Sequence, residues 1–543
     1  MKIQLLLLLL FTLYIQSQHC YHPGMDNYDV IDYNISINLE LKEKSFSGNC
    51  GITSSILVPT DEFILTASSA TLTIDSITLA DKHKLKFSHK DNLLLIKLPR
   101  IVSEKININL YYNGISDFNG EFSNGGIYFY ESDGNIRAAT SNQPFFAKKW
   151  FPCKDIPSDK ATAKISITVP EKLMAVSNGI LTNVTQNSNQ DKTYSWETKY
   201  PIATCLISIA AAEYTLLNDT YTYDDGKNFP ITYYVYPGYD EKATEDFRNT
   251  KKMIAFLENY FGPYPFKDEK YGIAMVVGEL TTENQTITSL QESLVTGEGD
   301  AEPILVHELA HHWFGNLITP ASWHHTWLSE GFATYAQAFY YEYYLGKEIY
   351  HSIMDHFMSP KQGTYVGSVI GKSDTSFWDS FSDRVYFKGA IVLHMLRKVV
   401  GDSTFFRILK NYTSNPNYMY KNATTEDFIM ECESVNGEQL DWFFKQWIYA
   451  DTDSIDRPVL TFDWHSEQNE NGYDVFVTIK QLSSHIYTYR LPIDISITSS
   501  DGEIDYQVIS DRGEQVFILK CNSKPLKVEL DRENWVFKEL KVQ

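Results

Sequence analysis

The chain has 543 residues, 43% hydrophobic and 21% charged, a balance that excludes wholesale disorder. At roughly 150 residues per domain, that length corresponds to three or four domains. With 47 basic against 69 acidic residues the formal net charge is -22, which repels phosphate backbones and excludes a general nucleic-acid binder.

The first element is a leader. Lys2 supplies a positive n-region, Leu5 to Ile15 form a short apolar stretch, and Ser17 is a small residue before a cleavage point. Residues 1–17 are therefore read as a signal peptide, with the mature chain secreted or periplasmic. A membrane span needs about 20 apolar residues. No later segment reaches that, so no transmembrane span is expected after signal removal.

From about 28 to 215 the pattern is that of strands. Tyr33, Ile35, Ile37, Leu39 and Leu41 alternate with polar residues, as do Ile165, Ile167 and Val169, with turn signals at Asn113-Gly114, Asn119-Gly120 and Asn124 to Gly126. An N-terminal all-β domain is assigned to 18–215. From about 240 the period becomes helical, over Phe247–Tyr260, Glu302–Phe314, Thr326–Leu345, Tyr386–Val400 and Thr425–Val435, with Asp402 and Ser403 as cap residues. A mainly helical domain is assigned to 216–453. Alternation returns at Tyr473 to Ile479 and Ile493 to Ile497, so 454–543 is read as a small C-terminal β-sandwich.

Six scattered cysteines, Cys20, Cys50, Cys153, Cys205, Cys432 and Cys521, show no C-x-x-C pair and indicate neither a thiolate zinc site nor a disulfide scaffold. Sequons occur at Asn34, Asn183, Asn218, Asn284, Asn411 and Asn422.

The chemistry concentrates in His307-Glu308-Leu309-Ala310-His311. Histidines at i and i+4 project from one helix face, so their imidazoles converge on one cation. Glu308 is not spaced as a ligand and is placed to take a proton from the attacking water. Glu330 follows in Trp327-Leu328-Ser329-Glu330-Gly331-Phe332-Ala333, far enough on for a loop and a second helix to bring it back as third ligand. Two His and one carboxylate leave a position open, the arrangement of a catalytic rather than a structural zinc. One Zn2+ per chain is expected. The adjacent His324 and His325 point apart and are read as structural.

The run from His307 to Asn316 with Trp327 to Ala333, the stretch Phe151-Pro152-Cys153-Lys154-Asp155-Ile156-Pro157, and Tyr386-Phe387-Lys388-Gly389-Ala390 together resemble the aminopeptidase N family of gluzincin zinc peptidases. The resemblance spans nearly the whole mature chain and implies a thermolysin-like catalytic domain. It also implies an aminopeptidase, whose substrates are peptides with a free α-amine. Leu280 to Thr286 matches the family's amine-binding loop at Glu283 and Asn284, with Leu280 and Thr282 in place of the usual Gly and Met. By resemblance Glu283 anchors the amine, with Glu279 the rival in a shifted register, and Gln143 is the second acceptor. Tyr386 stands where the family has the tyrosine that stabilises the oxyanion. Other readings stay open at this level: a hydrolase of the leukotriene hydrolase branch, a non-catalytic peptide-binding protein on the same fold, or an endopeptidase if Glu283 does not face the metal. Nothing in the sequence sets the oligomeric state.

Overall fold

The computed structural model describes residues 21–541 apart from 119–123, 133, 189, 279–280, 360–364, 366, 373–375, 451–456 and 483–487. The signal peptide at 1–17, Cys20, the turn Asn119-Gly120, Glu279, Leu280 and the expected 453/454 boundary involve residues outside those described. The chain forms two compact units: one runs to His325 and includes Ser373–Ser380 and Thr413–Thr424, the other holds the remainder.

The first unit begins with the alternating strands. A seven-stranded sheet runs in the order 180–186, 191–203, 160–170, 28–40, 45–56, 106–115, 72–79. Its pairs are antiparallel except Tyr28–Glu40 beside Lys160–Pro170, in register Ile35 to Ile165 and Ile37 to Ile167. Alternation read along the sequence reappears as burial: Tyr33, Ile35, Ile37 and Leu39 are buried and their neighbours are not. Two smaller sheets complete this β-rich region. The stretch Phe151 to Pro157 is part of its core. Lys154 Nζ pairs with Asp159 at 2.6 Å and donates to Tyr28 O, while Asp155 accepts from Thr204 Oγ1.

After this comes a four-stranded sheet, Thr215–Thr222, Asn228–Val235, Tyr271–Val276 and Thr288–Gln291, its last two pairings parallel. The helical reading of 216–453 did not contain it. Every residue of Tyr271–Val276 is buried. A parallel strand covered on both faces carries no alternation, so periodicity does not separate it from helix. Helices α1 (Asp240–Asp246), α2 (Thr250–Phe261) and α3 (Glu302–Ala310) belong to the same unit.

The second unit holds α4 (Trp327–Leu345), α5 (Lys347–Met358), α6 (Gly389–Val400), α7 (Asp402–Ser414, the last two residues excepted) and α8 (Thr425–Asn436). The first ten residues of α4 are all buried, as a helix enclosed on every side requires. Asp402 begins α7, and its carboxylate receives the Arg397 guanidinium. The chain ends in two sheets, of four strands (514–521, 472–481, 459–469, 539–540) and three (502–510, 491–499, 525–530). The architecture is thus an N-terminal β-rich region, a mainly helical region and a C-terminal β region. Among the described residues no helix is long and apolar enough to cross a membrane, which says nothing of strands. The five described cysteines are all free and buried.

Candidate metal centre

Pro303 sits in the first turn of α3, where its missing N–H leaves no bond unmade. The helix closes on the two histidines, with His311 N donating to His307 O. Their Nε2 atoms face each other at 3.0 Å. Two nitrogens on one tetrahedral zinc lie about 3.3 Å apart, given bonds near 2.0–2.1 Å. His311 Nδ1 lies 3.1 Å from Phe314 O. A carbonyl only accepts, so the proton is on Nδ1 and the Nε2 lone pair is left for a cation.

Glu330 stands in the first turn of α4, 3% exposed, its main-chain N bonded to Thr326 O. Ligand atoms of His307, His311 and Glu330 all lie within 4.8 Å of one another. Two neutral imidazoles and a buried carboxylate are the donor set zinc takes in hydrolytic sites, and a divalent ion offsets the cost of burying that charge. The residues fit zinc. His324 and His325, in the turn Trp323–His325 ahead of α4, are not part of the group.

Glu308 is buried on α3. Tyr386 is half-buried in a π-helical turn, Arg384–Lys388, that runs directly into α6. That turn lies close to α4 because two glycines meet. A Cβ on Gly331 would fall 2.9 Å from Gly389 Cα and 3.2 Å from Val385 O. Backbone-to-backbone approach therefore brings the residue after Glu330 against the turn that carries Tyr386. Lys388 holds the turn from within, its Nζ donating to Gly367 O at 2.9 Å.

Glu283 lies in a buried loop, Thr282 to Thr286, leading into the strand Thr288–Gln291. Gln143 Nε2 donates to Glu283 Oε1 at 2.6 Å. The amide thereby spends its donor side on the carboxylate, and its Oε1 remains an acceptor next to a charged one. That pair suits an ammonium group. Thr282, one of the two departures named above, is buried and exchanges main-chain hydrogen bonds with Ser289. Asn284 is 1% exposed, with Nδ2 bonded to Ser289 Oγ, so that sequon is closed to glycosylation in the folded chain.

Several supporting residues were not singled out from sequence. Lys270 Nζ donates to Ser177 O, Thr286 O and Thr286 Oγ1, and desolvation, opposed by the nearby Glu269 carboxylate, pushes it down to about 7. Asn178 Nδ2 donates to Gln285 O. Asn316 Nδ2 donates to Glu283 O. No local pattern gives these contacts, because the partners lie 16 to 107 residues apart along the chain. His312, next to His311, is fully buried, with Nδ1 2.9 Å from Tyr264 OH, and burial pushes it down to about 3.

Two family models match, the Peptidase M1 N-terminal domain over residues 29–206 and the Peptidase family M1 domain over 245–447. Aminopeptidase M1 of Arabidopsis thaliana is 26% identical over 446 residues, covering 76% of this chain and 49% of its own length. Glutamyl aminopeptidase of Rattus norvegicus is 28% identical over 391 residues, covering 67% and 40%. The chain spans about half the length of the curated relatives it matches. Among solved structures, aminopeptidase A of Legionella pneumophila with aspartic acid superposes at TM-score 0.80 and 19% identity, over 95% of this chain and 60% of that one. An M1 zinc metallopeptidase variant of Deinococcus radiodurans bound to Tyr-Ser-Ala gives 0.67 at 23% identity, over 78% and 95%. These two share the fold.

Proposed function

From its membership of peptidase family M1, we propose that the chain is a zinc-dependent aminopeptidase that hydrolyses the first bond of peptides with a free α-amine. The observation that carries this is the pairing of a zinc-type donor set, His307, His311 and Glu330, with an ammonium-type acceptor pair, Glu283 and Gln143. The names of the relatives support the reading.

Zinc, when held by those three side chains, supplies a Lewis acid that polarises a carbonyl and acidifies water. The remaining work falls to the chain's own groups. Glu308 takes the proton of the attacking water and returns it to the leaving amine. The Tyr386 hydroxyl donates a hydrogen bond to the oxyanion as charge develops. Glu283 and Gln143 hold the α-amine, so that only the first carbonyl comes within reach. Export follows from the leader at 1–17, and the mature N-terminus of protein recovered outside the cell tests it.

The central test is hydrolysis of a panel of aminoacyl-arylamides, each beside its N-acetylated form, by wild type and Glu308→Gln. Free-amine substrates are cleaved, acetylated ones are spared, and the Gln variant loses at least about 10³-fold in kcat while keeping its zinc. A wild type that binds zinc and cleaves none of them overturns the reading.

A further inference from the structure

An enzyme that removes one residue must hold its amine anchor at a set distance from its metal, because the substrate offers only an N–Cα and a Cα–C bond between amine and scissile carbonyl, about 1.46 and 1.52 Å. Errors of about 0.5 Å in such a constellation matter. Glu283 and the metal-binding histidines lie on different elements, a loop and the C-terminal end of α3 with its cap residue His311. A contact must therefore join them.

Asn316 makes it with two arms. Its main-chain N donates to His311 O at 2.9 Å, and its side-chain Nδ2 donates to Glu283 O at 2.8 Å. The same residue thus bonds the main chain of a ligand and the main chain of the anchor. Asn316 is fully buried. Glu283 O only accepts, so the amide can present only its nitrogen there. Asn316 Oδ1 finds no donor among the described residues. The amide is therefore a poor choice for packing and a good one for a single directed donor.

The surroundings hold both ends. Lys160 Nζ donates to Asn316 O at 2.7 Å and Leu317 O at 3.2 Å, tying the turn after α3 to the start of a strand in the large sheet. On the loop, Asn284 is bonded to Ser289 and Gln285 O receives Asn178 Nδ2 at 2.7 Å. Thr286 sits at φ 67, a rare conformation for a β-branched residue. Its Oγ1 takes Gly179 N at 2.8 Å and Lys270 Nζ at 3.2 Å. Residues 284–286 are thus pinned to other elements, and the Glu283 carbonyl itself is held by Asn316.

We propose that Asn316 is a positioning residue that sets the separation between the amine anchor Glu283 and the metal-binding helix. It rests on the aminopeptidase reading and acts only through Glu283. That dependence makes it testable by a double-mutant cycle. Asn316→Ala is measured alone and in a Glu283→Ala background, with zinc content and thermal melts for each protein. With Glu283 present, Asn316→Ala lowers kcat/KM on a free-amine arylamide by about 10–100-fold and weakens competitive inhibition by L-leucinamide in parallel, with zinc still bound. With Glu283 absent, the same substitution changes kcat/KM by less than about 2-fold. Asn316→Ser, which keeps a donor, recovers part of the loss.

An equal loss in both backgrounds, or no loss in either, overturns the proposal while leaving the aminopeptidase reading intact. Failure of both the Ala and Ser proteins to fold also overturns it, since Asn316 is then a structural residue. A wild type that cleaves no free-amine substrate refutes the aminopeptidase reading first, and this proposal with it.

Discussion

Replacing Gly331 by Ala tests how Tyr386 is placed. The new Cβ would fall 2.9 Å from Gly389 Cα, 3.1 Å from Gly389 C and 3.2 Å from Val385 O. Carbon atoms pack comfortably at about 3.5–4.0 Å, so α4 and the turn Arg384–Lys388 must separate by roughly 0.5–1 Å. All three atoms belong to main chain, which cannot swing aside as a side-chain tip would. Overpacking of this kind costs about 1–3 kcal/mol of stability. Glu330 precedes Gly331 and Tyr386 lies three residues before Gly389, so the shift falls between the two groups proposed as metal ligand and oxyanion donor. A displacement of about 1 Å can cost about 10²-fold in rate. The expected outcome is a fall in kcat of about 10–100-fold with KM little changed, since Glu283 and Gln143 lie on other elements. Steady-state kinetics on an aminoacyl-arylamide and thermal melts measure both effects. Gly513→Ala is the control, because an added Cβ there meets nothing within 4 Å. Wild-type kcat together with a wild-type melt in Gly331→Ala refutes the argument.

Two further outcomes follow from the site and from the core. A strong chelator removes zinc and activity together, and zinc restores both; activity that survives complete zinc removal, checked by metal analysis, contradicts the assignment of His307, His311 and Glu330. His394 is fully buried, with Nδ1 2.7 Å from Tyr350 OH, and burial pushes it from 6.5 down to about 3. Its folded value lies below its unfolded one, so the unfolded chain binds the extra proton between those limits. Stability from this group is whole above pH 6.5 and is lost as pH falls towards 3. At pH 5 the loss is about 2 kcal/mol. Melts of wild type and His394→Gln at pH 7 and pH 5 should show a smaller acid penalty in the variant, and an unchanged penalty counts against the assignment.

The parts of this protein legible in sequence are those whose cause is local. His307 and His311 share a helix face because 3.6 residues make a turn, and that relation needs no other segment. Strands such as Tyr28–Glu40 show because one face is buried and the other is not. Glu283, Gln143 and Tyr386 were reached only through resemblance to a family, since a single Glu, Gln or Tyr carries no period. What tertiary structure decided is non-local. It made a fully buried parallel strand of Tyr271–Val276, where alternation is erased by cover on both faces. Gly331 and Gly389, 58 positions apart in the numbering, became one close backbone contact. Asn316 and Glu283 became a hydrogen-bonded pair across 33 residues. Hydrogen bonds and steric contacts depend on distance in space, and sequence records only distance along the chain. Residue chemistry and short spacings therefore indicate which reaction is at hand, and the packing of remote segments decides how its groups are held.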